Sequence, residues 1–289
     1  MTHPPLIVIV GPTASGKSDL AMNLAQQFNG EIIAADSRTI YKGLDIGSAK
    51  PTKADQTLIK HHLLDVVSPN QAYSAARFQK DAILAVEDIY KRGKLPIMVG
   101  GSGLYIDSVI FNYEFSPAAD QKLRIKLSEL SLSDLQKKAI ELGITTDDIN
   151  FQNRRHLQRA VEAGGVKKHN KHLREKTHVI GLEINKEQLA KRINERIDAM
   201  VANGLIEEVK GLINQYGSDN EAMTGIGYRA LAKYFNGQMS LDDAIANFKR
   251  GDLLLAKKQM TWFRRNKYIH WFSDPRQAEM SVASFLNKK

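Results

Sequence analysis

The sequence predicts an α/β fold in which short parallel strands alternate with helices in a doubly wound sheet that carries an inserted small helical domain. Three observations predict it. The apolar run 6–10, bounded by Pro5 and Gly11, is typical of a strand buried on both faces. Apolar residues then recur at helical spacing from Ser18 onward. Between 116 and 178, helical periodicity occurs without any strand-like run.

Each further element of the core has its own pattern. The helix that starts at Ser18 is closed by Asn29-Gly30, and short apolar runs after it end at polar or glycine residues. The core is therefore predicted to comprise 1–115 and 179–289, and the helical insertion 116–178. The predicted elements are strands 6–10, 31–35, 95–99 and 178–184, helices 18–28, 120–130 and 133–142, and one helix or helix pair over 188–214.

Composition excludes several classes of protein. The chain has 289 residues, 43% of them hydrophobic, which suits a folded protein with a sizeable core. It has no cysteine, which excludes disulfides, thiol nucleophiles and thiolate metal sites, and its eight histidines show no ligand spacing. No apolar stretch approaches the length of a membrane span. We expect a cytoplasmic protein without a membrane partner and, since no coiled-coil seam is visible, a monomer.

The formal net charge of +9 is concentrated in two segments. Segment 151–178 holds eight Lys or Arg against two Glu, and segment 249–270 holds seven against Asp252 alone. Two such basic surfaces are typical of a protein that binds a polyanion. They are equally compatible with solvated helix faces, and charge alone does not decide between these interpretations.

A phosphate-binding loop follows the first strand. Its sequence, GPTASGKS at 11–18, fits GxxxxGK[ST] between a strand and a helix. Backbone N–H groups and the helix N-terminus bind phosphate oxygens, Lys17 neutralises charge and the Ser18 hydroxyl can ligate Mg²⁺. The fold is therefore P-loop NTPase-like. The bound phosphates belong either to a nucleotide or to a diphosphate leaving group. The loop residues are Gly11, Pro12, Thr13, Ala14, Ser15, Gly16, Lys17 and Ser18.

The end of strand 95–99 bears on that choice. A nucleotide hydrolase normally places an Mg²⁺-binding carboxylate there, but this strand continues into Gly100-Gly101-Ser102-Gly103. The glycines indicate either a tight strand-to-helix turn or a surface where a large group approaches the backbone. Asp36, at the end of strand 31–35, lies at the edge where doubly wound folds keep their sites. It is either a helix cap or a functional acid.

The chain resembles the bacterial tRNA dimethylallyltransferases (tRNA isopentenyltransferases). The matching strings occur in the family's order over nearly the whole chain, although 164–178 matches poorly. They are GPTASGKS at 11–18, DSRTIYKGLDIGSAKP at 36–51, HHLLDVVSPNQAYSAARFQKDA at 61–82, VGGSGLY at 99–105, RRHLQRAVE at 154–162, GLIEEV at 204–209, GIGYRAL at 225–231 and KKQMTWFR at 257–264.

The resemblance implies transfer of a dimethylallyl group from dimethylallyl diphosphate to N6 of adenosine 37, beside the anticodon of tRNA. The amine is a weak nucleophile, so the reaction needs a proton acceptor, for which Asp36 is the natural base. Stabilisation of the departing diphosphate falls to the loop amides, Lys17, Ser18 with Mg²⁺ and, by resemblance, Arg229, which is otherwise a surface ion-pair residue. Thr13 is implied to contact the substrate.

The resemblance also assigns contacts with the tRNA anticodon stem-loop. The target base must leave its stack and enter a pocket, and the two basic segments would bind the surrounding RNA. Trp262 is either a stacking residue or part of the core. The implied tRNA-binding residues are Asp36, Ser37, Arg38, Thr39, Ser102, Arg124, Arg155, His156, Leu157, Gln158, Arg159, Thr224, Gly225, Ile226, Gly227, Tyr228, Arg229, Lys257, Lys258, Gln259, Met260, Thr261, Trp262, Phe263 and Arg264.

Three other functions use the same loop. A small-metabolite kinase would share the fold, but it needs neither basic segment and normally has the missing strand-end acid. An adenylate isopentenyltransferase would perform the same chemistry on a free nucleotide, without need of a basic insertion. A non-catalytic RNA-binding protein would use the loop as a nucleotide switch, which leaves Asp36, Lys17 and Arg229 without a role.

Overall fold

The computed structural model describes residues 3–115, 121–166 and 172–287. A sheet of six strands, all parallel, forms its centre in the order β3-β2-β4-β1-β5-β6. The α/β class and the parallel sheet are therefore confirmed. The strands are β1 Leu6–Val10, β2 Gly30–Ala34, β3 His61–His62, β4 Leu95–Val99, β5 Thr177–Leu182 and β6 Ile269–Phe272.

Helices alternate with the strands along the chain, and their ends follow local sequence signals. The predicted pair over 188–214 is two helices, because Gly204 adopts a left-handed conformation (φ 96°) between them. The helices are α1 Lys17–Gln27, α2 Lys53–Leu58, α3 Ala75–Lys91, α4 Gly103–Ile110, α5 Gln121–Glu129, α6 Leu132–Glu141, α7 Arg154–Glu162, α8 Lys186–Ala202, α9 Leu205–Tyr216, α10 Ile226–Phe235, α11 Leu241–Phe263 and α12 Pro275–Asn287.

The central strand β1 is fully buried on both faces, as its unbroken apolar run predicts. On one face, Ile7 and Ile9 pack with apolar residues of α1 and α12. The register pairs Ile9 of β1 and Ala34 of β2 with the same residue, Val99 of β4. The three strands therefore end at one edge of the sheet, and the segments that follow them start side by side.

The chain divides into two compact units, 1–110 with 173–289 and 111–172. The predicted insertion, 116–178, begins five residues later than the second unit and runs past its end. The end differs because β5 already begins at Thr177, which pairs with Leu6 of β1. Residue 116 and the basic residues Lys167, Lys168 and Lys171 lie outside the described residues.

The second unit has a hydrophobic core of its own. Leu127 of α5, Leu135 of α6 and Leu157 of α7 are each almost completely buried in it. Leu157 therefore packs inside this unit, which does not favour its implied contact with tRNA, and that contact stays a prediction. The apolar face of an amphipathic helix accounts for this burial, since its neighbours Arg155 and His156 are exposed.

An ion cluster joins β2 to the edge strand β3 within the first unit. The Glu31 carboxylate is buried and accepts hydrogen bonds from Arg92 and from His62 Nε2 (2.7 Å), with Lys94 Nζ 2.9 Å away. These partners, Arg92 foremost, hold the pKa of Glu31 well below its usual range.

We expect Glu31→Gln to lower the free energy of unfolding by about 2 kcal/mol, because the neutral amide loses the charge-assisted bonds of the buried carboxylate to Arg92, His62 and Lys94. A carboxyl with a lowered folded-state pKa stabilises the fold above its unfolded pKa and loses that contribution as the pH falls. The advantage of the wild-type protein over Glu31→Gln should therefore begin to shrink below about pH 4, near the unfolded pKa, and should fall further as the pH approaches the much lower folded pKa. Urea unfolding of both proteins at pH 7.5 and at about pH 3 measures this, and an equal difference at both values would contradict it.

Among the described residues, no helix is both long enough and apolar enough to cross a membrane.

Candidate active site

The phosphate-binding loop has the backbone that its glycines predict. Gly11 and Gly16 adopt positive φ angles of 149° and 90°, and Ala14 lies between them at 61°. A Cβ atom on Gly11 would lie 2.8 Å from the carbonyl oxygen of Leu182 on β5, so only glycine fits there. Helix α1 begins immediately after the loop, at Lys17, and directs its N-terminus toward the loop.

The Lys17 ammonium folds back over the loop and donates hydrogen bonds to the carbonyl oxygen of Pro12 and to Ser15 Oγ (3.5 Å). Burial and the nearby Arg196 lower the pKa of Lys17 to about 7, against an opposing effect of Asp36. A bound polyanion would supply the negative charge that this desolvated cation lacks.

Two adjoining cavities open at this edge of the sheet. One, of about 580 Å³, contains the loop residues from Thr13 to Ser18, and we call it the phosphate-loop cavity. The other, of about 500 Å³, reaches the start of α10, and we call it the α10 cavity. Because their linings overlap, the two cavities adjoin, and we refer to them together as the passage. The shared lining residues are Thr13, Asp36, Ser48, Ala49, Gly101, Arg196, Leu255 and Gln259.

Asp36 lies at the junction of the two cavities, directly after β2. Its Oδ1 accepts a hydrogen bond from the backbone N–H of Arg38 (2.7 Å), so it closes a turn and does not cap a helix. Ser102 Oγ accepts another from the backbone N–H of Ser37 (3.1 Å), which joins this turn to the segment after β4. The carboxylate is thus held in a fixed position in the passage.

Arg196 of α8 connects the phosphate loop to a buried acid. Its Nη1 donates to Thr13 Oγ1 (2.7 Å) and its Nη2 to Asp252 Oδ2 of α11 (2.5 Å). Asp252 is 5% exposed, and this burial raises the pKa of its carboxyl, an effect that the adjacent Arg196 opposes. The ion pair therefore fixes a guanidinium beside the phosphate loop.

Gln259 of α11 fixes the other side of the loop. Its Oε1 accepts from the backbone N–H of Thr13 (2.8 Å), and its Nε2 donates to the carbonyl oxygen of Gly101 (3.1 Å). A Cβ on Gly101 would lie 2.2 Å from that amide, and one on Gly103 would lie 2.4 Å from the Trp262 ring. The glycines after β4 therefore admit α11 of the same chain, in addition to forming the turn into α4.

Glu208 of α9 holds the loop 45–49, which forms part of the wall of both cavities. Its carboxylate accepts hydrogen bonds from the backbone N–H groups of Asp45 (3.1 Å), Ile46 (2.6 Å) and Gly47 (3.0 Å), and from the hydroxyl of Tyr228 (2.7 Å). Ser48 and Ala49, which follow, line both cavities. One half-buried carboxylate thus sets the position of the 45–49 loop.

The structure brings together the loop residues, Asp36 and most of the predicted residues of the first unit, but not Arg229. Arg229 is exposed on α10 and lines neither cavity, because the α10 residues that face inward are Ile226, Gly227 and Tyr228. The arginines beside the phosphate loop are Arg192 and Arg196. The prediction that Arg229 contacts the diphosphate is therefore not supported by this geometry.

The predicted residues of α11 divide by helix face. Phe263 is 1% exposed and packs in the core, which does not favour its implied contact with tRNA, and that contact stays a prediction. Lys258, Gln259 and Trp262 line the α10 cavity, and Trp262 Nε1 donates to Asp107 Oδ2 (2.9 Å). Outside the cavity lie Lys257, Thr261 and Arg264, which are exposed, and Met260, which is half-buried.

The remaining predicted residues fall into three groups. Ser37, Arg38, Ser102, Thr224 and Gly225 line the α10 cavity, and Arg38 Nη1 donates to the carbonyl oxygen of Glu221 (2.6 Å). Thr39 is buried and lines the phosphate-loop cavity instead. In the second unit, the exposed side chains are those of Arg124, which pairs with Glu162, and of Arg155, His156 and Arg159, while Gln158 is half-buried.

The residues of this site that sequence reasoning missed include Arg196, Glu208, Asp252 and Leu255. For Asp252 a signal was present, since it is the one acid in basic segment 249–270. The others look like ordinary residues of amphipathic helices, and only the packing of α8, α9 and α11 brings them to the sheet edge.

Within the described residues, no group of three His, Asp or Glu side chains is placed to hold a metal ion. The side-chain oxygens that line the phosphate-loop cavity include the Ser18 hydroxyl and the carboxylates of Asp19 and Asp36. This set fits Mg²⁺, which takes few protein ligands when phosphates and water supply the rest.

Comparison with known proteins identifies the family. The family model "IPP transferase" matches residues 39–266. The tRNA dimethylallyltransferase of Macrococcus caseolyticus is 39% identical, with 100% of this chain and 96% of that protein covered. That of Pelotomaculum thermopropionicum is 42% identical, with 92% and 90% covered.

Solved structures give the same result. The tRNA delta(2)-isopentenylpyrophosphate transferase of Staphylococcus epidermidis is 34% identical and superposes with a TM-score of 0.73, covering 99% of both chains. A eukaryotic dimethylallyltransferase acting on tRNA is 25% identical with a TM-score of 0.80, covering 97% of this chain and 77% of that one. The chain therefore belongs to the IPP transferase family and is an enzyme of the tRNA dimethylallyltransferase type.

Proposed function

We propose that this enzyme transfers a dimethylallyl group from dimethylallyl diphosphate to N6 of adenosine 37 in tRNA, and releases diphosphate. One observation carries the proposal: Asp36 stands where a phosphate-binding cavity meets a second cavity. A kinase needs a carboxylate at a strand end for its metal, whereas here β4 ends at Val99 and continues into glycine. The relatives' names supply the reaction class.

The chemistry suits that arrangement. The adenine N6 attacks C1 of the dimethylallyl group from the α10 cavity while the bond from C1 to the diphosphate oxygen breaks toward the phosphate loop. The new N–C bond places positive charge on N6, and the Asp36 carboxylate takes the proton that leaves. In this proposal the base stands at the junction of the two cavities, and the anion-binding loop receives the leaving group.

The cations of this chain assist the departure of the diphosphate. The loop N–H groups, Lys17 and the N-terminus of α1 face the phosphate-loop cavity, and Arg196 is fixed beside Thr13. These groups are already in position before charge develops, which is the arrangement that stabilises a transition state most effectively. Bound Mg²⁺, held by Ser18 and the diphosphate, would supply further neutralisation of the leaving group.

The acceptor side is built for a base removed from its stack. Trp262 and Tyr105 offer aromatic surfaces in the α10 cavity, and Lys258 lies at its lining. The exposed Lys257 and Arg264 continue the basic surface along α11. In the second unit, the exposed Arg124, Arg155, His156 and Arg159, with Gln158, are proposed to bind the surrounding RNA.

The test is an alkylation assay with Mg²⁺, dimethylallyl diphosphate and an unmodified anticodon stem-loop with adenosine at position 37, read by mass spectrometry of the nucleosides. We expect dimethylallyladenosine, and none from a stem-loop with guanosine at that position. Alkylation of AMP but not of RNA would assign the enzyme to free nucleotides. Phosphate transfer from ATP without alkylation would contradict the proposal.

The Glu208 contacts give a prediction for the same assay. Glu208→Ala removes the acceptor of three backbone N–H groups, so the 45–49 loop loses its fixed position. We expect kcat/KM to fall about 100-fold with a smaller loss of stability, because misplacement of cavity walls weakens catalysis. Glu207→Ala, which changes an exposed neighbour on the same helix, serves as the control. Equal activity in the two variants would contradict the role of Glu208.

A further inference from the structure

We infer that Leu255 forms the seat of the prenyl chain and limits its length to five carbons. The inference rests on the proposed function and deepens it, because it assigns the donor's apolar part to one side chain. In a direct displacement the carbon that is transferred must lie between the leaving phosphate and the acceptor nitrogen. That position is the junction of the two cavities, whose shared lining residues are given above.

The junction is almost entirely polar. Among the described residues that line both cavities, five have polar or charged side chains and one is glycine, which leaves Ala49 and Leu255 as the apolar groups. Ala49 presents a single methyl group from a backbone at φ 52°. Leu255 is therefore the one large apolar side chain placed to contact an alkyl group there.

The face of α11 that lines the α10 cavity shows why Leu255 is available. Phe248, Asp252, Leu255, Gln259 and Trp262 recur at helical spacing along it. The polar groups of this face bind other parts of the protein: Asp252 binds Arg196, Gln259 binds Thr13, and Trp262 binds Asp107. Leu255 has no polar group to satisfy and is left to face the substrate.

Its neighbours also fix Leu255 relative to the phosphates. Arg196, held by Asp252, donates to Thr13 Oγ1 (2.7 Å), and Gln259 accepts from the Thr13 N–H (2.8 Å). Leu255 lies between Asp252 and Gln259 on the helix. Both neighbours are connected to Thr13, Asp252 through Arg196 and Gln259 directly. The side chain thus stands beside the start of the phosphate loop, where C1 and the methyl-bearing end of the donor would lie.

Two physical consequences follow. Apolar contact with Leu255 removes the alkyl group from water and lowers the KM for the donor. A longer prenyl chain would have to occupy the volume of the Leu255 side chain, so this residue would exclude it, as a pocket wall excludes a larger substrate. Leu255 is half-buried, so its truncation need not disturb the core.

The experiment compares dimethylallyl and geranyl diphosphate as donors to the same stem-loop, for the wild-type enzyme, Leu255→Ala and Leu255→Met. We expect Leu255→Ala to raise the ratio of kcat/KM for geranyl over dimethylallyl diphosphate at least about tenfold. Leu255→Met, which conserves the volume, should keep the wild-type ratio. Leu254→Ala, an exposed neighbour outside both cavities, is the matched control and should also keep it.

The outcomes are distinct. A raised ratio in Leu255→Ala alone supports the inference. An unchanged ratio in Leu255→Ala, in a protein that retains the wild-type melting temperature, overturns it, as does an equal rise in Leu254→Ala. If the wild-type enzyme transfers no prenyl group to RNA, the proposed function itself fails. If it does so and Leu255→Ala behaves like the wild type, only the present inference fails.

Discussion

Replacement of Asp36 by asparagine is expected to lower the kcat for alkylation of the stem-loop by about 10³-fold, which is within the range for loss of a positioned general base. The side chain stands at the junction of the two cavities, where the proton of the adenine N6 must be accepted. Asparagine keeps an oxygen that can accept from the Arg38 N–H, so the turn after β2 is preserved while the basic group is lost.

Two comparisons separate this effect from damage to the fold. The melting temperature of Asp36→Asn should stay close to that of the wild type, and the KM for dimethylallyl diphosphate should change little. Asp252→Asn changes the other carboxylate of the α10 cavity, which is paired with Arg196 and is not free to accept a proton. If Asp252→Asn lost more activity than Asp36→Asn, the assignment of the base to Asp36 would be contradicted.

The fold was predictable because its strongest signals are local. An unbroken apolar run marks β1, a glycine-rich loop follows it, and the start of helical spacing marks α1 within one residue. The strands β3 and β6 were not predicted. His61–His62 is only two residues long, and Ile269–Phe272 is a four-residue strand that starts inside the basic segment 249–270. Their pairing depends on neighbouring strands, which local patterns do not reveal.

The site was predictable where a sequence motif indicates a particular chemistry. The phosphate loop and Asp36 follow strands, and the register of a parallel sheet brings strand ends to one edge. The directions of helical side chains are a different matter. Arg229 and Phe263 lie within strings that match the family, yet one side chain faces outward and the other packs in the core.

Arg196 illustrates the limit most clearly. It lies in the polar sequence of α8, far along the chain from Thr13 and Asp252, and nothing near it signals a phosphate site. Its role emerges only when α8 and α11 pack together and the guanidinium bridges a loop hydroxyl and a buried carboxylate. Long-range ion pairs of this kind have no periodicity for a sequence pattern to reveal.

The second large effect is accordingly expected at Arg196. Arg196→Ala removes the guanidinium beside the phosphate loop and leaves the buried Asp252 carboxylate unpaired. We expect kcat/KM for dimethylallyl diphosphate to fall by about 10²–10³-fold, comparable to the loss of one preorganised donor from a site that stabilises developing negative charge. Arg196→Lys keeps the charge but cannot bond Thr13 and Asp252 in the same planar geometry, so it should recover only part of the loss.

Measured beside it, Arg229→Ala decides between the two arginines. Arg229 belongs to the GIGYR string that the family resemblance connects with the diphosphate, whereas the structure places it on the exposed side of α10. If the arrangement of side chains in this structure is the one used in catalysis, Arg229→Ala loses far less activity toward the donor than Arg196→Ala. Arg276→Ala changes an exposed arginine of α12 and should lose none. A larger loss in Arg229→Ala would mean that α10 turns this side chain into the passage when the substrates bind. The leaving group would then be stabilised by a cation that moves into place when the substrates bind, and not by one that is fixed in advance.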